Sequence, residues 1–159
     1  MNKLWVALTL IISTQYSFSA VDKPAKQALP SKDKPMVSLQ VVDISKKTPK
    51  PIAGNTLSIS KKQNQLCWRS YNLLIPNKVT IAEAFYAPDA INLTSENSTI
   101  ESSKDKKEHL IITEITSSNT EKYLGRCWTF DKTDPIGKYK MEIQINDQVF
   151  KGLEFEIVK

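Results

Sequence analysis

Tyr123 to Met141 reads YLGRCWTFDKTDPIGKYKM, and the reading of this stretch decides the fold. Leu124, Trp128 and Phe130 make an aromatic strand around Cys127. Asp131 to Gly137 is dense in Asp, Thr, Pro and Gly, the residue types that build turns. Beyond the turn, Tyr139, Met141, Ile143 and Ile145 alternate with Lys138, Lys140, Glu142 and Gln144. A period of two gives a strand one apolar and one polar face. Asn146-Asp147 is a tight turn, and Val149 to Val158 returns as the hairpin partner. Phe150 is out of phase there with Leu153, Phe155 and Ile157, which marks Gly152 as a bulge site.

Working back from this hairpin, the same signals recur. Val37, Leu39 and Val41 alternate with polar residues, as do Val79, Ile81 and Phe85. Thr56 to Ser60, Gln65 to Leu74 and Leu110 to Ile115 are further strand segments. Ser45 to Asn55 is a loop by its Pro, Gly and Lys content. Ala90 to Lys107 is a long polar loop with room for a short edge strand, and it holds sequons at Asn92 and Asn97. No stretch has helical periodicity. About seven short strands with polar turns predict an all-β sandwich over residues 36–159, since each apolar sheet face must be buried against another layer.

The N-terminus predicts export. Lys3, the apolar run Leu4 to Ile12 and the small residues Ser17 and Ser19 have the order of a secretory signal peptide over residues 1–19. Residues 20–35, with three prolines and four lysines, read as a flexible linker. No transmembrane segment is expected once the signal is removed. A periplasmic or secreted location follows. Two cysteines in an exported chain pair, so Cys67 and Cys127 are expected to form a disulfide.

Two registers are open for these strands, because neighbours along a strand point to opposite faces. In one, Trp68 and Trp128 are core and the bridged cysteines lie outside. In the other, both tryptophans face solvent beside Arg69 and Arg126 and form a binding patch. Strand aromatics favour the first reading. It leaves the Ala90–Lys107 loop as the expected recognition element.

Asp134, Gly137 and Tyr139 resemble the tyrosine corner of immunoglobulin-like domains, in which a tyrosine early in the penultimate strand bonds back to the preceding turn. Met141 stands where antibody-type domains carry their second cysteine, and Trp68 directly follows Cys67. The resemblance is therefore to the broad class of bacterial exported immunoglobulin-like, macroglobulin-like modules. It implies an immunoglobulin-like sandwich whose work is to bind or space other proteins.

Composition narrows the function classes. With Lys3 lost from the 22 basic residues, the 17 acidic ones leave a net charge of about +4. Arg69 and Arg126 are the only arginines, so the charge is nearly all lysine, and no specific nucleic-acid binding is expected. His109 is the one histidine and ends a lysine-rich loop, where it is expected to be solvated. Asp131 and Asp134 read as turn residues. No catalytic, cofactor-binding or metal site is assigned. The reading is a non-enzymatic exported module of the bacterial envelope that contacts an envelope or secreted protein. The alternatives are an inhibitor or immunity-type protein acting through the 90–107 loop, or a binder of anionic envelope polymer through Lys138 and Lys140.

Overall fold

The computed structural model describes residues 34–61, 63–117 and 122–159. The expected signal peptide, and the linker up to residue 33, lie outside the described residues. The described residues are all-β, with ten strands: β1 (Met36–Asp43), β2 (Lys50–Pro51), β3 (Thr56–Ser58), β4 (Asn64–Tyr71), β5 (Lys78–Tyr86), β6 (Thr99–Ser102), β7 (Glu108–Thr116), β8 (Gly125–Trp128), β9 (Gly137–Ile145) and β10 (Gln148–Val158). They form two sheets. The first has the order β2-β1-β4-β8, and the second β3-β10-β9-β5-β7-β6. Every strand pairing is antiparallel except β3 with β10.

Alternation decides which residues fill the space between the sheets. Val37, Leu39, Val41, Leu66 and Trp68 come from the first sheet, and Ile81, Phe85, Ile111, Tyr139, Met141, Ile143 and Phe155 from the second. Aromatic rings dominate the centre. Phe85 meets Trp128 edge-on at 5.0 Å between centroids, and Tyr139 stacks on Phe155 at 4.8 Å. Such pairs add about 0.5–1.5 kcal/mol beyond the area they bury.

The final hairpin follows the expected design. Asn146 has φ 52°, and Gln148 pairs with Ile145 across the turn. The register slips between Phe150 and Leu153, at Gly152, which has φ +74°. A residue with Cβ is strained in that conformation, so the bulge sits where the chain has no side chain.

Two short strands refine the expected pattern. β2 is a two-residue strand inside the 45–55 loop, and β6 occupies part of the 90–107 segment. His109, expected in solvent, is 3% exposed. It shares the inward phase of β7 with Ile111 and Thr113. Its Nε2 donates to the Lys106 carbonyl at 2.9 Å, and its Nδ1 is hydrogen-bonded to Ser102 Oγ at 2.8 Å. The ring is a satisfied core residue that ties β6 and the loop to β7.

Tyr139 is fully buried, and its hydroxyl donates to the Pro135 carbonyl at 2.7 Å. Burial, and then the Asp134 carboxylate, push its phenol pKa up. Asp134 Oδ2 accepts the Asp131 N–H at 2.7 Å and Asp131 Oδ1 accepts the Thr133 N–H at 2.7 Å, so both acids brace the turn. Tyr139→Phe is expected to lose about 1 kcal/mol, one net hydrogen bond, with the fold unchanged. Urea titration checks this, and an unchanged midpoint would show that the corner bond contributes nothing.

Candidate functional site

Among the described residues one ion pair has a fully buried member, and it links the sheets. Glu83 continues the inward phase of Val79, Ile81 and Phe85 on β5 and is fully buried. Its Oε1 accepts the indole N–H of Trp68 at 2.6 Å and that of Trp128 at 2.9 Å. Its Oε2 accepts from the Arg126 guanidinium. The other Arg126 nitrogen donates to Thr113 Oγ1 at 2.7 Å and Ser98 Oγ at 3.0 Å. Ser98 also bonds Thr113 at 2.8 Å and Ser95 at 2.9 Å. All three donors to Glu83 come from β4 and β8 in the opposite sheet.

Burial pushes the Glu83 pKa up, while the Arg126 charge and the two indole donors pull it back. Every contact donates to the carboxylate, so the arrangement suits its ionised form. Both Glu83 oxygens are thus occupied by donors from the opposite sheet. The cluster is a structural tie.

β8 brings Arg126 and Trp128 to that tie, and two local features hold this four-residue strand. Gly125 opens it where a Cβ would stand 2.6 Å from the Trp68 carbonyl oxygen, so only glycine permits the approach. Cys67 and Cys127 face each other directly and are bridged, with Cα atoms 4.0 Å apart. Ser70 and Leu124 exchange bonds across the same pair of strands, which makes Cys67–Cys127 a non-hydrogen-bonded position, where side chains approach closest.

The bridge lies on the outer face of the first sheet, and Trp68 and Trp128 are buried at 2% and 6% exposure. The alternative register set the two arginines side by side; in the structure they separate. Arg126 has the phase of Trp128 and points inward, while Arg69 has the phase of Cys67 and points out. Its guanidinium stacks on the ring of Tyr123, 4.1 Å from the centroid, and Tyr123 is 50% exposed. Beside this pair a groove of about 300 Å³ runs over the disulfide between Gln40, Val42, Ile44, Pro49 and Gln65. Tyr71 continues the same face, and Leu74, on the loop after β4, is 95% exposed.

The 90–107 segment does not project as a free loop. Ile91 is buried, its N–H bonds the Lys106 carbonyl at 3.0 Å, and Lys106 Nζ donates to Asn92 Oδ1 at 2.9 Å. Ser98 joins the Arg126 network. On the outer face of the second sheet, Lys140 pairs with Glu154 at 3.7 Å, and Lys138 lies opposite Glu156.

Comparison with known proteins agrees with this architecture. Residues 37–158 match the family model described as PM0630 beta sandwich domain. The chain belongs to that family. It is similar to a Pasteurella multocida (strain Pm70) protein described as "Uncharacterized protein PM0630", with 34% identity over 160 residues covering 100% of each chain. The family match begins one residue into β1 and ends with β10, so it spans the whole sandwich.

Glu83 was missed in the sequence, and its signal was present: a lone acid at the inward phase between Ile81 and Phe85. Removing Arg126 strands that acid. Arg126→Met is expected to cost about 3–5 kcal/mol at neutral pH. Glu83 then favours its protonated form in the fold. A raised folded pKa stabilises fully below the unfolded value, near 4.5, and that stabilisation is lost as pH rises through the folded pKa. The deficit of Arg126→Met against the unmodified protein is therefore expected to be small near pH 4.5 and to widen towards pH 8. Melting curves across that range check it, and a pH-independent deficit would contradict the buried-charge account.

Proposed function

We propose that this protein is an exported, non-enzymatic protein-binding module of the bacterial envelope, docking through the outer face of its first sheet. One observation carries the reading. Arg69 stacked on half-exposed Tyr123 stands beside a groove floored by a rigid disulfide. Tyrosine and arginine dominate interface energetics, and an anchor already held in place loses little entropy on binding. Tyr71 and Leu74 extend the apolar part of this face.

Further support comes from what the other polar groups do. His109, Asp131 and Asp134 are engaged within the fold, and Glu83 is enclosed by donors. The disulfide suits an oxidising compartment, as the signal-like N-terminus does. An immunoglobulin-like ancestry fits the strand order and the Tyr139 corner: β1, β4 and β8 stand as one sheet over β10, β9 and β5, extended by β7 and β6.

The test is capture from a host envelope extract with the unmodified protein and with Arg69→Ala/Tyr123→Ala. A prey bound by the first and lost by the second, at equal melting temperature, is the expected result. Equal capture of every prey by both would exclude this face.

A further inference from the structure

Among the described residues, the first sheet is open along β1 beyond β2, and the hydrogen-bonding groups of that edge can be assigned residue by residue. The Val41 carbonyl accepts the Ile52 N–H at 2.8 Å, so the main chain of Val41 faces the β2 side. The Ile44 N–H bonds the Gln63 carbonyl at 2.8 Å, so even-numbered positions of β1 face β4. A strand turns successive peptide groups to alternate sides. The N–H and C=O of Val37 and Leu39 therefore face the β2 side. β2 reaches only Val42 and Asp43, and among the described residues nothing pairs with Val37 or Leu39 there.

The other edges carry charge, proline or a bulge, or are very short. β2 has two residues and ends in Pro51, β3 has three, β6 carries Glu101, β8 carries Arg126, and the part of β10 beyond β3 carries Lys151, Glu154 and the Gly152 bulge. Such features discourage strand addition. Met36 to Gln40 reads MVSLQ, with neither charge nor proline. The charged residues of the 44–55 segment that follows β1 are all lysine. Exposed Lys46, Lys47 and Lys50 lie on the turn and strand that follow β1, and Arg69 stands opposite Ser38 on the outer face. Asp43, opposite Lys50, is the acid within β1, and its carboxylate accepts the Ser45 N–H at 2.8 Å. That hydrogen bond first, then Lys46 and Lys61, hold its pKa low.

We infer that the free edge of β1 accepts an extended segment of an acidic partner protein as an added strand. The inference rests on the protein-binding reading and specifies its partner. Main-chain bonds to Val37 and Leu39 supply the pairing. Alternate side chains of the segment stand over the outer face, where the lysines and Arg69 select acidic residues. The charge rules against a second copy of the chain as the natural occupant, since that would bring two basic rims together.

The test uses the purified, disulfide-intact protein with two probes, the peptides (Glu-Val)4 and (Lys-Val)4. NMR amide exchange and fluorescence anisotropy are the readouts. The acidic peptide is expected to bind more weakly as salt rises and to slow exchange at Val37 and Leu39, while Ser38 and Gln40, already bonded to β4, stay unchanged. The basic peptide is expected not to bind. Lys46→Glu/Lys47→Glu/Lys50→Glu is expected to weaken acidic-peptide binding by about tenfold or more without lowering the melting temperature. Three results would overturn the inference: no binding of the acidic peptide, binding without protection of Val37 and Leu39, or equal binding of both peptides. Concentration-dependent protection of the same amides without peptide, with a dimer mass in light scattering, would also overturn it in favour of self-pairing. Loss of prey on Arg69→Ala/Tyr123→Ala together with unprotected Val37 and Leu39 would remove the strand-addition inference and leave the protein-binding reading standing.

Discussion

A single buried carboxylate fixes how the two sheets of this sandwich sit on each other. Hydrophobic contact between sheets has no direction, so it resists separation without choosing a register. Hydrogen bonds do have direction. Glu83 on β5 takes two indole N–H groups and a guanidinium from β4 and β8, and these donors meet it in only one relative placement of the layers. Trp68 and Trp128 can then be buried with their polar atoms satisfied, as large indoles in a core require. Replacing such a cluster by apolar side chains often costs little stability. Its retention here is understood as specifying one packing.

That interaction depends on β8, and β8 is short. Four residues at a sheet edge make few ladder bonds. The Cys67–Cys127 bridge, the close approach at Gly125 and the Ser70–Leu124 bonds hold the strand where Arg126 and Trp128 reach Glu83. The same bridge stiffens the outer face on which Arg69 and Tyr123 stand. Interior and surface are thus coupled through one strand pair. Closing a 60-residue separation constrains the unfolded chain by about 4 kcal/mol on the chain-entropy account.

The sandwich was legible because its core strands alternate cleanly. β9 and β10 could be read residue by residue, including the bulge at Gly152. β6 is the short edge strand for which the 90–107 segment had room, while β2 was illegible, since Lys50-Pro51 carries no period and is a strand only because β1 pairs with it. His109 was misplaced for a similar reason. Its lysine-rich flank suggested solvent, while its phase with Ile111 put it inside. The unchosen register that put both arginines on one patch ignored parity: Arg69 follows a tryptophan and Arg126 precedes a cysteine, so one pattern sends them to opposite faces. The outer-face pair of Arg69 and Tyr123 joins two distant segments, and no local pattern announces such a contact.

A double-mutant cycle on Glu83→Met and Arg126→Met tests the central claim most directly. Each single change leaves an unpaired group in the core, a loss of about 3–5 kcal/mol, while the double change removes both charges together. If the carboxylate clamp holds the sheets in register, the double variant is expected to be far more stable than the sum of the two losses allows. Losses that simply add would mean that Glu83 and Arg126 act independently, and would contradict the account.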